Sequence, residues 1–195
     1  MLKKTRIAVM VSGGGTNLQA IIDAQKSGII TSGEITLVVS NKPGAYALER
    51  AASNGIDTYI MDTEEALIEK LQKEGIQLVV LAGFLKILSP TFIKAFENRI
   101  INIHPSLIPS FCGKGAYGLH VHEMALEYGV KVTGATVHFV NEIPDGGAII
   151  YQKAVEILDG DTPEVLQKRV MEEAEWILLP RAVEVISAKI GRGEI

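Results

Sequence analysis

The chain has 195 residues, 47% of them hydrophobic and 22% charged, with a formal net charge of −4. That is enough apolar material for one sizeable core, so residues 1–195 are expected to form a single domain. The weak acidic charge excludes the basic field that attracts nucleic acid, and no apolar run approaches the roughly 20 residues that cross a bilayer, so a cytoplasmic protein with no nucleic-acid or membrane partner is expected.

Met1 to Arg6 leads into a strand rather than a signal-peptide core. Arg6 to Ser12 is a short apolar run that stops at glycines and passes into Thr16 to Ala24, where Leu18, Ile21 and Ile22 recur at helical spacing. The turn between them, Ser12-Gly13-Gly14-Gly15-Thr16-Asn17, gathers backbone N–H groups and the positive end of a helix, which suits a phosphate. The other reading is a tight turn whose glycines only permit positive φ. No Gly-Lys-Ser/Thr follows, and Leu18 takes the third glycine position of Gly-x-Gly-x-x-Gly, which disfavours a Walker loop and a dinucleotide.

Strand and helix then alternate: Glu34 to Ser40 with about Tyr46 to Asn54, Thr58 to Met61 with Glu64 to Lys73, and Leu78 to Ala82 with a short segment near Pro90 to Phe96. This alternation predicts an α/β fold, a mostly parallel sheet with helices on both faces. Arg99 to His104 is a further strand, ended by Pro105. Its isoleucines alternate with polar residues, so Asn102 and His104 project from one face at the carboxyl end, where open α/β sheets place ligands. An amide and an imidazole there can donate hydrogen bonds to an oxygen that becomes negative when a carbonyl is attacked; they can equally be structural.

Ser106 to Gly118 reads as an ordered loop before a helix at about Val121 to Tyr128. Lys131 to Val140 and Ala148 to Ile157 are strands separated by seven residues, too few for a helical crossover, so the pair is antiparallel. Asp145, between them, reads either as a turn residue or as a partner of His104 that raises its pKa by stabilising imidazolium. Thr162-Pro163 starts a long amphipathic helix through about Ala188, with Leu166, Val170, Ile177 and Val183 among its core positions. His120 and His122 lack a metal-binding arrangement, so no metal is expected; His138 reads as a hydrogen-bonded structural histidine, and Trp176 as core. The lone Cys112 reads as an unpaired loop thiol.

Four segments, Ser12 to Ile21, Ala82 to Leu88, Asn102 to Pro109 and Val137 to Gly147, resemble the glycinamide ribonucleotide formyltransferase family, in order and across nearly the whole chain. The Asn-x-His-Pro-Ser-Leu segment is also similar to methionyl-tRNA formyltransferase and formyltetrahydrofolate hydrolase. The glycine-rich Thr-Asn turn separates them, and their additional domains do not fit into 195 residues.

The resemblance implies a Rossmann-like formyltransferase fold with an antiparallel C-terminal strand pair. About residues 1–100 would form a phosphate-binding half and about 101–195 a folate-binding and catalytic half. It also implies formyl transfer from the cosubstrate 10-formyltetrahydrofolate to the amine of glycinamide ribonucleotide, in purine biosynthesis, by a monomer or homodimer. Asn102, His104 and Asp145 would be catalytic: the amine attacks directly, Asn102 and protonated His104 hold the tetrahedral oxyanion, and Asp145 keeps His104 protonated. Gly15, Thr16 and Asn17 would hold the phosphate and Glu175 the amine end, in a segment one residue longer than is usual. Folate would lie along Leu85, Lys86, Ile87, Leu88, Asn102, Val140 and Asn141. Lys86 stands where many relatives carry arginine, Glu64 where some do near the folate tail, and Phe111 to Gly118 replaces a shorter loop. The competing readings are a 10-formyltetrahydrofolate hydrolase and a noncatalytic nucleotide-binding module.

Overall fold

Apolar runs too short to form stable helices pair into a sheet in the computed structural model, which describes residues 4–195. In chain order the elements are β1 Thr5–Val11, α1 Thr16–Lys26, β2 Gly33–Ser40, α2 Tyr46–Ser53, β3 Asp57–Ile60, α3 Glu64–Lys73, β4 Leu78–Leu81, α4 Pro90–Ala95, β5 Ile100–His104, α5 Leu119–Tyr128, β6 Val132–Phe139, β7 Ile149–Glu156, α6 Pro163–Val170, a π-turn Met171–Glu175, and α7 Trp176–Gly191. The sheet order is β3-β2-β1-β4-β5-β6-β7. β1 lies between parallel neighbours, and Ile7 to Val11 are fully buried, as expected for a strand covered on both faces. The strand order reverses at β1 and β4, which is where an open α/β sheet leaves a crevice at its carboxyl edge.

β6 pairs antiparallel with both β5 and β7. The β6–β7 pairing agrees with the short intervening loop; the β5–β6 pairing was not legible, because the long loop and α5 between them permit either direction. The register sets Asn102 opposite His138 and His104 opposite Thr136, so these four side chains share a face.

Helix starts follow local capping chemistry. Thr63, Ser89 and Thr162 accept from the backbone N–H groups of Ala66, Phe92 and Val165, and Pro90 and Pro163 occupy first-turn positions where no N–H is needed. One core forms where Ile7, Val9, Leu78 and Val80 meet Leu18, Ile21, Leu166 and Leu179 on one side of the sheet. A second forms where Ala8, Met10, Val79 and Leu81 meet Leu67, Leu71 and Phe92 on the other.

The C-terminal helix departs from the uninterrupted helix expected over 162–188. Met171–Glu175 winds as a π-turn, and Pro180, one turn into α7, has no N–H for the carbonyl of Trp176. The extra residue rotates everything that follows by about 100°. Ile177, expected in the core, is therefore 50% exposed, while Leu178, Leu179, Ala182 and Val183 are buried.

Two stability measurements follow from this packing. Leu178→Ala should cost about 2–5 kcal/mol in chemical denaturation and Ile177→Ala less than about 1 kcal/mol, whereas an unbroken helix would reverse the order. Gly15 has φ +74°, and a Cβ there would lie 2.6 Å from the Ala47 Cβ, so Gly15→Ala should lose about 1–3 kcal/mol by the same assay.

Candidate active site

The glycine turn is built to present donors. Gly15 adopts the left-handed conformation at the N-cap of α1. The carbonyls of Gly13 and Gly14 are taken by the Ala47 N–H (3.0 Å) and Arg50 Nε (2.8 Å), while no acceptor among the described residues faces the N–H groups of Gly13, Gly14 and Gly15. Ser12 ties this turn to the next segment: its Oγ donates to Asn41 Oδ1 (2.7 Å) and accepts from the Leu85 N–H (3.0 Å). The Thr16 hydroxyl lies 3.7 Å from Met171 Sδ of the π-turn.

A cleft of about 570 Å³, within the range of small-molecule sites, opens beside the carboxyl ends of β4 and β5. Asn102, His104 and Asp145 line it, together with Asn17, Glu175, Leu85, Lys86, Ile87, Leu88, Val140 and Asn141. Gly15 and Thr16 do not line the cleft itself; they stand beyond Asn17 at the start of α1. Leu85 and Ile87 are 50% and 64% exposed, and the N–H groups of Lys86, Ile87 and Leu88 bond to nothing among the described residues. This segment thus offers apolar surface and free donors to a flat heteroaromatic ligand. Lys86 Nζ lies 3.7 Å from the buried Glu64 carboxylate, which also accepts from the Ser89 N–H (3.0 Å).

Asp145 joins the two halves of the polar cluster. It has φ +56°, a conformation that aspartate tolerates better than most residues. Its Oδ2 accepts from the Gly113 N–H at 2.8 Å and lies 3.6 Å from His104 Nδ1, and its Oδ1 lies 3.5 Å from His138 Nε2. Burial opposes its charge, but the neighbouring His138 and His104 rings and the Gly113 N–H together hold its pKa below the usual carboxylate range. His138 is hydrogen-bonded at both ring nitrogens. Nδ1 donates to the Phe139 carbonyl (2.8 Å), which leaves Nε2 to accept from Asn102 Nδ2 (3.2 Å).

His104 corrects one expectation. Asp145 does stabilise its imidazolium, but burial is the larger effect and the net pKa is lowered, so the resting ring is neutral at pH 7. Its Nε2–H donates to the Phe111 carbonyl at 2.9 Å. Phe111 itself sits at φ 47°, a strained conformation for a bulky side chain. Nothing in the Ser106 to Gly118 composition announced this contact, or the Gly113 contact to Asp145, because a loop's long-range partners leave no periodic trace.

The π-turn buries Glu175 to 6% exposure, where its Oε2 accepts from Asn17 Nδ2 at 2.6 Å. Desolvation outweighs that one hydrogen bond and pushes the carboxyl up to about 7. His120 and His122 diverge: His120 is exposed and lies 3.0 Å from Glu123, whereas His122 is buried and lines the cleft.

The buried carboxyl makes stability depend on pH. A folded-state pKa of about 7 against 4.5 means the unfolded chain releases this proton first, so stability falls as pH rises from about 4.5 to about 7. Glu175→Gln should therefore be more stable than wild type by up to about 3 kcal/mol at pH 8, with the gain gone at pH 4; melts at both values test this.

A family model described as formyl transferase matches residues 5–183. The chain is 44% identical over 194 residues to the trifunctional purine biosynthetic protein adenosine-3 of Gallus gallus, covering 95% of this chain and 19% of that protein. It is 40% identical to the chloroplastic phosphoribosylglycinamide formyltransferase of Arabidopsis thaliana, covering 95% of this chain and 65% of that one. The chain thus spans about a fifth and about two thirds of these relatives. The crystal structure of glycinamide ribonucleotide transformylase 1 from Symbiobacterium toebii superposes with a TM-score of 0.88 at 44% identity, covering 95% of this chain and 88% of that chain. With the family model matching all but the ends of the sequence, this chain belongs to the formyl transferase family.

Proposed function

We propose that this protein moves the formyl group of 10-formyltetrahydrofolate to the primary amine of glycinamide ribonucleotide. The observation that carries the reading is the convergence of Asn102, His104 and Asp145 in one cleft, with an apolar, donor-bearing segment on its wall and Asn17 and Glu175 leading to the glycine turn. The relatives named for this transfer align over nearly the whole chain and support it.

In this reading the free N–H groups of Gly13 to Gly15, with Thr16 and Asn17, hold the phosphate at the start of α1. The folate lies along Leu85 to Leu88, Val140 and Asn141. Glu175, with its carboxyl near 7, ionises as it accepts from the substrate's N–H or O–H groups. The neutral amine attacks the formyl carbon, a C–N bond forms, and the carbonyl oxygen becomes an oxyanion. Asn102 donates to that oxygen from its amide, and His104 Nε2–H exchanges the Phe111 carbonyl for it. Asp145, facing Nδ1, holds the ring in place, and the Nε2–H hydrogen bond offsets the charge that develops on the oxygen. Collapse breaks the bond between the formyl carbon and the folate nitrogen, and the proton released by the new ammonium passes to that nitrogen.

A hydrolase with the same oxyanion site would release formate without an amine, and the absorbance change on loss of the formyl group separates the two. Wild type should turn over only when the ribonucleotide is present, and His104→Ala or Asn102→Ala should lose about a hundredfold or more in rate. Turnover that ignores the ribonucleotide would assign the hydrolase instead.

A further inference from the structure

α5 brings to the cleft a second imidazole that formyl transfer, as described above, does not use. His122 is completely buried, yet neither ring nitrogen has a hydrogen-bond partner among the described residues. His122 is among the residues that line the same cleft as His104, Gln167, Met171 and Glu175. A histidine that serves only the fold is held by hydrogen bonds, as His138 is at both nitrogens. Leaving both nitrogens of a desolvated ring idle costs the fold stability, and that cost is recovered when a polar group of a ligand reaches the ring.

The state of the ring narrows the ligand. Burial, with the nearby His104 adding to it, pushes the His122 pKa down to about 4, so the ring is neutral at pH 7. A neutral imidazole carries one N–H donor and one acceptor, and it offers a phosphate no charge. It matches a hydroxyl, which can accept from the one or donate to the other. Location narrows it further. α5 packs against α6, so His122 belongs to the same wall as Gln167 and Met171. Met171 in turn meets Thr16 of the glycine turn, at the end assigned above to the ribonucleotide.

We propose that His122 is a further substrate-binding residue, hydrogen-bonding a hydroxyl of the ribonucleotide's ribose. The inference rests on the formyl-transfer reading. The test pairs His122→Leu, which removes both polar atoms, with His122→Asn, which retains a donor and an acceptor. Titration calorimetry with glycinamide ribonucleotide alone is run beside steady-state kinetics and thermal melts. His122→Leu should weaken ribonucleotide binding about tenfold and leave the KM for 10-formyltetrahydrofolate within about twofold. It should not lower Tm, because an idle polar group has left the core, and His122→Asn should recover part of the lost affinity. Unchanged ribonucleotide affinity in both variants, with an active wild type, would overturn this inference alone. So would a fall in Tm with both KM values moving together, which marks a structural role. A wild type that transfers no formyl group to the amine would overturn the formyl-transfer reading, and this inference with it.

Discussion

The cost of taking charge out of water shapes this cleft more than any single contact. Asp145 remains ionised because several groups compensate it: the Gly113 N–H, His104 and His138. Glu175 has only Asn17, and its carboxyl rises to about 7. His104 gains from Asp145 but loses more to burial, and it rests neutral. Each side chain's charge follows from how many partners the fold brings to it, measured against the water it excludes.

Those partners come from distant parts of the chain, so the cleft is a tertiary object. Asp145 meets Gly113 only because the 106–118 loop is tied down: Thr136, opposite His104, accepts from the Ile108 N–H (3.1 Å) and donates to the Ser106 carbonyl (2.7 Å). His138 meets Asn102 only because β6 runs antiparallel to β5 in the observed register. A slip of one residue would turn His138 to the opposite face, away from Asn102 and Asp145.

The same economy of charge suits acyl transfer. A ring whose Nε2–H is already oriented, beside an ionised carboxylate, is suited to donate to an oxygen on which negative charge develops. The groups of this cluster are held in place by their contacts with one another, the preorganisation that stabilising a developing charge requires. Strain at Phe111 and the left-handed Asp145 lie within this cluster, where the surrounding contacts hold unfavourable backbone conformations in place.

Much of the frame was legible in the amino-acid sequence. Alternating apolar runs and helical repeats located the elements to within a few residues, the Ile100 to His104 alternation put Asn102 and His104 on one face, and a seven-residue loop required β6 and β7 to be antiparallel. These features repeat every 2 or 3.6 residues or depend on loop length, so backbone geometry writes them locally. The π-turn, which moved Ile177 out of the core and buried Glu175 against Asn17, left no periodic signature; the extra residue near Glu175 was visible only against the resembling family, and the apolar pattern alone fits an unbroken helix. The lowered pKa of His104, the Phe111 carbonyl on its Nε2 and the idle nitrogens of His122 were likewise decided by the tertiary structure alone. Desolvation and hydrogen bonding depend on which distant segments exclude water from a side chain, and that is set only when the segments pack.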